Sequence, residues 1–187
     1  MLPSIGKTAR FAQGSFATCE REKAPDMSLS ALRKRFEPLL RRIFHLYWRV
    51  SRGMTLGVRG VVLDAQGRVF LIHHTYVSGW QLPGGGVEAG ETFIEALRRE
   101  LMEEGRIEVL DEPDLHGLFF NNHVSRRDHV AIYVVRTFRQ DRMPAPNREI
   151  SACGFFAVDA LPADTTEGTR RRIAEVVRGE PAITTWR

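Results

Sequence analysis

Three carboxylates lie close together near the middle of the chain, at Glu100, Glu103 and Glu104. Apolar residues recur at every fourth position around them and predict a helix from 92 to 104. The three glutamates, spaced i, i+3 and i+4, share one face of that helix. Each like-charged pair costs roughly 0.2–0.5 kcal/mol, and the helix dipole disfavours negative charge at this end. Because Mg²⁺ prefers carboxylate oxygens and removes both costs, the pattern indicates a site for a hard divalent cation.

A run of three glycines, Gly84-Gly85-Gly86, stands shortly before this helix. Neither a helix nor a regular strand favours such a run, which indicates unusual backbone angles or the close approach of another group. A solvated acidic helix after a glycine-rich turn is the alternative interpretation. That alternative gives no reason for the fixed offsets of Glu91 and Arg99 from the glycines and the carboxylates.

The stretch from Gly85 to Ile107 resembles the signature of the Nudix hydrolases, G-x5-E-x7-R-E-U-x-E-E-x-G-U, in which U is aliphatic. The matching positions are Gly85, Glu91, Arg99, Glu100, Leu101, Glu103 and Glu104. The chain departs from the signature at Arg106, where the family has glycine. That glycine normally ends the helix in a left-handed turn, so we expect Gly105 to take this role instead.

The resemblance implies a fold and a metal site. The fold would be α+β, a Nudix-type α/β/α sandwich with a mixed central sheet and the box helix on one face. Glu100 and Glu104 would be the direct metal ligands. Glu103 would be a third ligand or the base for the attacking water, and the Gly84 carbonyl would complete the metal shell. The cofactor would be Mg²⁺, with Mn²⁺ as a substitute.

Other matched positions imply supporting roles. Gly85, Glu91 and Gly105 would be structural. Arg99 belongs to the catalytic set because its ion pair with Glu91 would orient Glu100, as residues behind metal ligands commonly do. Glu149, outside the box, resembles the additional carboxylate that many Nudix enzymes carry; a surface glutamate is the alternative.

The function implied is Mg²⁺-dependent hydrolysis of a diphosphate linkage in a nucleoside diphosphate linked to another group. The substrate would be a small molecule, such as a nucleotide sugar or a nucleoside triphosphate. Asn122 stands where ADP-ribose hydrolases of this family tend to carry proline, and 124–129 lack the tyrosine typical of dinucleoside polyphosphate hydrolases. The alternative is a non-catalytic Nudix-fold sensor that binds a nucleotide. Loss of a box glutamate would favour that sensor, and none is lost.

The composition fits one globular domain of 187 residues with a net charge of +4. That charge is too small to demand a nucleic-acid partner. No run of 18 apolar residues occurs, which excludes a membrane-spanning helix. The two cysteines are far apart and indicate no disulfide framework, so the cytoplasm is the expected location. The sequence leaves open whether the chain forms a homodimer.

Three regions are expected along the chain. Residues 1–27 predict a disordered tail or a segment before an alternative start at Met27. Residues 28–53 predict a basic amphipathic helical segment whose apolar stripe, including Phe44 and Tyr47, packs on the domain. Peripheral membrane contact through 33–52 is the less favoured alternative. Residues 54–187 are expected to form the Nudix domain that the resemblance implies.

The remaining elements follow from short-range patterns. Strands are predicted at 56–63, 69–74, 80–82, 108–109, 115–122, 129–138 and 150–158. The apolar run 129–138 is expected at the centre of the sheet. The last helix, over 169–177, is predicted to turn Ile173, Val176 and Val177 inward and Arg170, Arg171 and Arg172 outward.

Five histidines match no zinc motif and are interpreted as packing or substrate-edge residues. They are His73, His74, His116, His123 and His129. The loop that holds His123, Arg126, Arg127 and Asp128 is expected to be an exposed hairpin tip. Contact with the charged end of the substrate is its alternative role.

Overall fold

The structure is a computed structural model that describes Phe44, Tyr47 and residues 53–187. The chain divides into two compact units, 1–48 and 49–187. In the first unit, Phe44 and Tyr47 are helical and their side chains are exposed. The packing of the apolar stripe on the domain stays a prediction. The tail 1–27 and the rest of the predicted segment up to 52 lie outside the described residues. Across the described part of the chain, no helix is long and apolar enough to cross a membrane.

Residues 53–187 of the second unit form eight strands and two helices. The strands are β1 (Thr55–Val62), β2 (Val69–His74), β3 (Trp80–Gln81), β4 (Glu108–Val109), β5 (Asp114–Phe120), β6 (Asp128–Val135), β7 (Phe138–Arg139) and β8 (Ile150–Phe156). The helices are α1 (Phe93–Gly105) and α2 (Glu167–Arg178). The predicted strand 129–138 is divided into β6 and β7, because β7 leaves the sheet and pairs with β4.

Strand β6 lies at the centre of a three-stranded sheet ordered β1-β6-β5, as its apolar sequence predicts. It runs parallel to β1 and antiparallel to β5, so the sheet is mixed. A second sheet, ordered β3-β2-β8, is antiparallel. The short pair β4-β7 stands apart from both.

Successive residues of the central strands point to opposite faces, and each face is covered by one helix. Val58 of β1 and Phe70 of β2 join one buried cluster, which includes Leu101 of α1. Their neighbours along the strands join a second cluster, where Ile173 of α2 packs against Ile132 of β6. The alternation of a strand thus becomes two hydrophobic layers. The predicted α/β/α sandwich is confirmed.

Helix α1 begins at a complete capping box. The Thr92 hydroxyl accepts a hydrogen bond from the Glu95 N–H, and the Glu95 carboxylate accepts one from the Thr92 N–H. This reciprocal pair satisfies two of the N–H groups that a helix start leaves without partners. The helix that carries the three glutamates is therefore fixed at its start by its own sequence.

The end of α1 differs from the prediction. Gly105 is still helical, and Arg106 takes the left-handed conformation with φ 52° and ψ 36°. The Arg106 N–H donates to the Met102 carbonyl and the Ile107 N–H to the Leu101 carbonyl, each at 3.0 Å. The first of these is the hydrogen bond of an αL cap. The prediction that Gly105 supplies the left-handed residue is wrong.

Packing against the sheet explains this exchange of roles. A Cβ atom at Gly105 would lie 2.9 Å from side-chain atoms of both Ile107 and Phe70, closer than such contacts normally come. Glycine is therefore needed at position 105, because a larger residue would keep the end of the helix away from β2. The turn falls on the next residue, Arg106, which is the one non-glycine residue with positive φ in the described part of the chain.

Helix α2 buries a charged residue that the sequence pattern places in solvent. Arg172 is fully buried and its guanidinium lies 3.9 Å from the centre of the Phe119 ring. It donates to Glu175, which is also buried. The prediction of an outward Arg172 is wrong, as is that of an inward Val177, which is exposed. Other parts of the chain cover the helix face beside Ile173, and the periodicity of the helix sequence does not predict this burial.

Candidate active site

The glycine run lies flat against β1. The Val58 N–H donates to the Gly85 carbonyl, and the Gly60 N–H donates to the Pro83 carbonyl, each at 2.9 Å. Gly84 has φ 137°, and a Cβ atom there would overlap the Val58 carbonyl oxygen. Only glycine allows this approach, so the run fixes the distance between the loop and the strand.

The same backbone holds two of the predicted carboxylates. The Gly84 N–H donates to Glu104 Oε2 at 2.7 Å. A Cβ atom at Gly85 would overlap the Glu100 carboxylate, which therefore packs directly on the loop. The structure thus brings Glu100, Glu104 and the glycine run together. It places the Gly84 N–H on Glu104, while the role of the Gly84 carbonyl stays a prediction.

The predicted ion pair between Glu91 and Arg99 is present. Arg99 Nε donates to Glu91 Oε1 at 2.9 Å, and Arg99 Nη2 donates to Glu91 Oε2 at 3.1 Å. Arg99 Nη1 also donates to Glu100 Oε1 at 2.7 Å, and Nη2 to the Gly86 carbonyl at 3.0 Å. These hydrogen bonds lower the pKa of the Glu91 carboxyl and raise that of Arg99. Arg99 thereby links Glu91, Glu100 and the glycine run into one unit.

Glu104 is the most perturbed acid of the site. Its side chain is only 11% exposed, and burial raises its pKa to about 7. The Gly84 N–H and the positive charge of Arg59 oppose that rise. Repulsion from Glu100 and Glu149 adds to it. The Glu149 carboxylate, which comes from the loop before β8, is therefore close enough to act on Glu104 electrostatically.

His74 and Arg59 join the site although the sequence patterns gave them no specific role there. His74, at the end of β2, is buried, with Nε2 3.7 Å from Glu104 Oε1. Burial, with the nearby positive charge of Arg59, lowers the pKa of His74. Arg59 donates to the Leu82 carbonyl at 2.6 Å. A charged residue inside the otherwise apolar strand β1 was the available signal.

Glu103 lies apart from this pair of carboxylates. Its side chain is 60% exposed, and its carboxylate lies 3.7 Å from Arg99 Nη1. Within residues 44, 47 and 53–187, no three His, Cys, Asp or Glu side chains stand together as a metal cluster. The three box glutamates share a helix face as predicted, but only Glu100 and Glu104 contact the loop.

A cavity of about 510 Å³ opens beside the glycine run. Gly85, Gly86 and Arg59 line one part of it. Asn121, His123 and Val124 come from the loop after β5, Asp128 begins β6, and Trp186 comes from the C-terminal segment. The loop expected to be a plain hairpin tip therefore contributes His123 to the cavity. Arg126 of the same loop is exposed and does not line it.

The family model for the NUDIX domain matches residues 53–176, which is well over half of the chain. The chain belongs to the NUDIX family. Two similar proteins carry the name RNA pyrophosphohydrolase. The one from Halorhodospira halophila is 46% identical over 54 residues, covering 29% of this chain and 30% of that protein. The one from Francisella tularensis subsp. mediasiatica is 44% identical over 52 residues, covering 28% and 34%. The match thus spans about a third of the length of these relatives.

Solved structures share the fold. A MutT NUDIX hydrolase from Burkholderia pseudomallei has a TM-score of 0.57 and 27% identity, covering 66% of this chain and 98% of that one. A UDP-X diphosphatase has a TM-score of 0.51 and 20% identity over 82% of each chain, which shows the fold alone. Both agree with the sandwich described above.

The donor chemistry of this NUDIX site fits a hard divalent cation. Two carboxylates, Glu100 and Glu104, meet at the glycine run, and carboxylate oxygens are ligands that Mg²⁺ prefers. A carboxylate whose pKa reaches about 7 lies where positive charge is lacking, since Arg59 does not offset burial and repulsion. A divalent ion next to Glu104 would supply that charge.

Proposed function

We propose that this chain is a Mg²⁺-dependent hydrolase that cleaves the diphosphate linkage of a nucleoside diphosphate linked to another group. The observation that carries the proposal is the environment of Glu104. This buried acid and Glu100 contact the glycine run that also lines the cavity. Negative charge is thereby concentrated next to a space that can admit a small anionic substrate, an arrangement that favours a bound cation.

The same contacts support a particular set of metal ligands. Glu100 and Glu104 would hold Mg²⁺ directly, with the Gly84 carbonyl completing the shell. Glu103, whose exposed side chain can rotate, would be a third ligand or the base for the attacking water. Glu149, which already acts electrostatically on Glu104, would be an additional ligand. Mn²⁺ would substitute for Mg²⁺, because it accepts the same oxygen donors.

The mechanism divides the work among the residues of the site. Bound Mg²⁺ would neutralise phosphate charge and make a coordinated water more acidic. Arg99, fixed by Glu91, keeps the Glu100 carboxylate in one orientation. The glycine run keeps side chains away from the path of the phosphates. Arg59, at the cavity wall, supplies a fixed positive charge for a phosphate oxygen.

The second group on the substrate determines which compound the enzyme would hydrolyse in the cell. A nucleotide sugar or a nucleoside triphosphate fits a cavity of about 510 Å³. The name RNA pyrophosphohydrolase, which two similar proteins carry, adds RNA to the substrates worth testing. A net charge of +4 gives no particular reason to favour nucleic acid.

The decisive experiment is a panel of nucleoside diphosphate derivatives incubated with Mg²⁺, with phosphate measured after a phosphatase step. The wild-type chain should release phosphate from at least one compound, and Mn²⁺ should support the reaction. Glu104→Gln should be nearly inactive, whereas Glu112→Gln, at an exposed glutamate away from the site, should keep full activity. Tight binding of a panel member without any phosphate release at saturating Mg²⁺ would favour the sensor module instead.

A further inference from the structure

The C-terminal residues extend the edge of the mixed sheet. The Phe120 N–H donates to the Thr184 carbonyl at 2.8 Å, and the Trp186 N–H donates to the Phe120 carbonyl at 3.0 Å. Thr185 forms a parallel bridge with Phe120. The segment 184–186 thus lies beside the end of β5, although its sequence shows no strand pattern.

A buried ion pair fixes this segment in place. Arg172 Nη1 donates to the Thr185 carbonyl at 3.2 Å, while Nη2 donates to Glu175 Oε1 at 2.6 Å. Glu175 Oε1 also accepts from the Ile183 N–H at 3.4 Å, and Glu175 Oε2 lies 3.1 Å from His116 Nε2. Removing two charges from water is costly unless their hydrogen bonds are satisfied. Here part of that satisfaction comes from the backbone of the C-terminal segment.

The Trp186 indole is held between helix α2 and the cavity. A Cβ atom at Gly168 would overlap the indole Nε1, so Trp186 packs directly on the helix backbone. The ring centre lies 5.9 Å from the Arg172 guanidinium, and the side chain is half-buried. Trp186 also lines the cavity that begins at Gly85 and Gly86. The cavity therefore has the glycine run in one part of its wall and an aromatic ring in another.

Fixed polar groups line the same cavity. Asp128 accepts a hydrogen bond from Asn121 Nδ2 at 2.7 Å and another from the Thr55 hydroxyl at 2.6 Å. All three side chains belong to residues of the cavity wall. Small-molecule sites typically combine aromatic surface with a few preorganised polar groups. This wall has both, in contrast to the carboxylates and glycines near α1.

We propose that Trp186 is a specificity-determining residue that stacks on the nucleobase of the substrate. This inference rests on the proposed function, because it concerns the nucleoside end of the same molecule. Phosphates held at the glycine run leave the rest of the substrate inside the cavity, where Trp186 offers the aromatic surface. Stacking tolerates every base, since each has a π-face. The neighbouring pair Asn121 and Asp128 then offers hydrogen bonds that can distinguish one base from another.

The first test observes Trp186 without any hydrolysis. In the ¹⁵N-labelled full chain, the three indole N–H signals are assigned with tryptophan-to-phenylalanine variants, and AMP, UMP and inorganic pyrophosphate are titrated separately. The Trp186 signal should shift with AMP or UMP and stay in place with pyrophosphate, while that of Trp80 stays in place throughout. An unmoved Trp186 signal with both nucleotides overturns the inference. A shift caused by pyrophosphate alone overturns it as well.

The second test displaces the ring without removing it. Gly168→Ala adds a methyl group where the indole packs, and alanine otherwise favours a helix. Its KM for the nucleotide substrate should rise about tenfold or more at a nearly unchanged kcat. Trp186→Leu should behave in the same way, while Trp186→Phe, which keeps an aromatic ring, should retain most of the affinity. Trp80→Phe is the matched control, and melting curves verify that each variant folds.

The outcomes separate this inference from the proposed hydrolysis. If the wild-type chain releases phosphate while Gly168→Ala and Trp186→Leu keep the wild-type KM, the role of Trp186 is refuted and the hydrolysis stands. If no substrate releases phosphate but AMP or UMP shifts the Trp186 signal, the hydrolysis is refuted and the nucleobase site stands.

Discussion

Replacing Glu104 by glutamine should change the pH dependence of stability in a defined direction. Burial raises the pKa of the Glu104 carboxyl from 4.5 to about 7. Between these values the folded chain keeps a proton that the unfolded chain has lost, so stability falls as the pH rises through this window. Each unit of difference between the folded-state and unfolded-state pKa changes the free energy of unfolding by about 1.4 kcal/mol. The ionised Glu104 therefore destabilises the metal-free protein by about 3 kcal/mol above pH 7.

Glutamine removes this titration while keeping the shape of the side chain and an oxygen to accept from Gly84. Urea unfolding in EDTA at pH 5, 6, 7 and 8 measures the effect. The stability difference between Glu104→Gln and wild type should grow with pH in favour of the variant, reaching about 1–3 kcal/mol at pH 8 after some relaxation of the folded state. Glu112→Gln, at an exposed position, should follow the wild type at every pH.

Magnesium supplies the second half of this test. At pH 8 the wild type should gain stability with added Mg²⁺, because a ligand that binds only the folded state shifts unfolding. Glu104→Gln should gain much less, and its hydrolytic rate should fall at least ~100-fold. Parallel stability curves for wild type and variant from pH 5 to 8 would refute the argued cost of burying this carboxylate. Equal stabilisation of both by Mg²⁺ would refute Glu104 as a ligand.

Three further variants test other parts of the structure. Arg106→Gly should raise stability by about 1 kcal/mol, or about 2–4 °C in melting temperature, because glycine tolerates the left-handed turn; a lower melting temperature would contradict this. Glu91→Gln should lower kcat less than Glu104→Gln does, since it acts only through Arg99; an equal loss would place Glu91 in direct contact with the reaction. Arg172→Met should cost about 3–5 kcal/mol in urea unfolding, because it leaves the buried Glu175 without its arginine partner. Adding Glu175→Leu should recover much of that loss, and no recovery would show that lost packing dominates.

The box helix could be predicted closely because its information is local. The capping residue Thr92, the apolar repeat and the glutamate spacing all lie within one short stretch, and the structure gives α1 as Phe93–Gly105. The ion pair of Glu91 and Arg99 follows from the same stretch. The end of the helix could not be predicted in this way. Whether Gly105 or Arg106 takes the turn depends on Phe70, a residue of a distant strand.

Helix α2 shows how a periodic pattern fails when a helix has two buried neighbours. Its apolar residues correctly place Ile173 in the core. Arg172 is next to that face, and it is buried because the C-terminal segment covers it with the Thr185 carbonyl. No rule based on hydrophobicity would move an arginine inward here. The buried position of Arg172 is favourable because Glu175 pairs with its charge and the Phe119 ring packs against its flat guanidinium.

The chemistry and the specificity of this site draw on different parts of the sequence. The carboxylates and the glycine run come from one continuous stretch, so a short signature is enough to predict the class of reaction. The surroundings that tune them, Arg59 on β1 and Glu149 before β8, are brought together only by the sheets. Trp186 is placed in the cavity wall by backbone pairing with Phe120, some 66 residues away in sequence. Since the cavity wall that meets the nucleoside lies outside the signature, chains with the same box can differ in substrate, and variants at Trp186 should alter selectivity without altering the carboxylates.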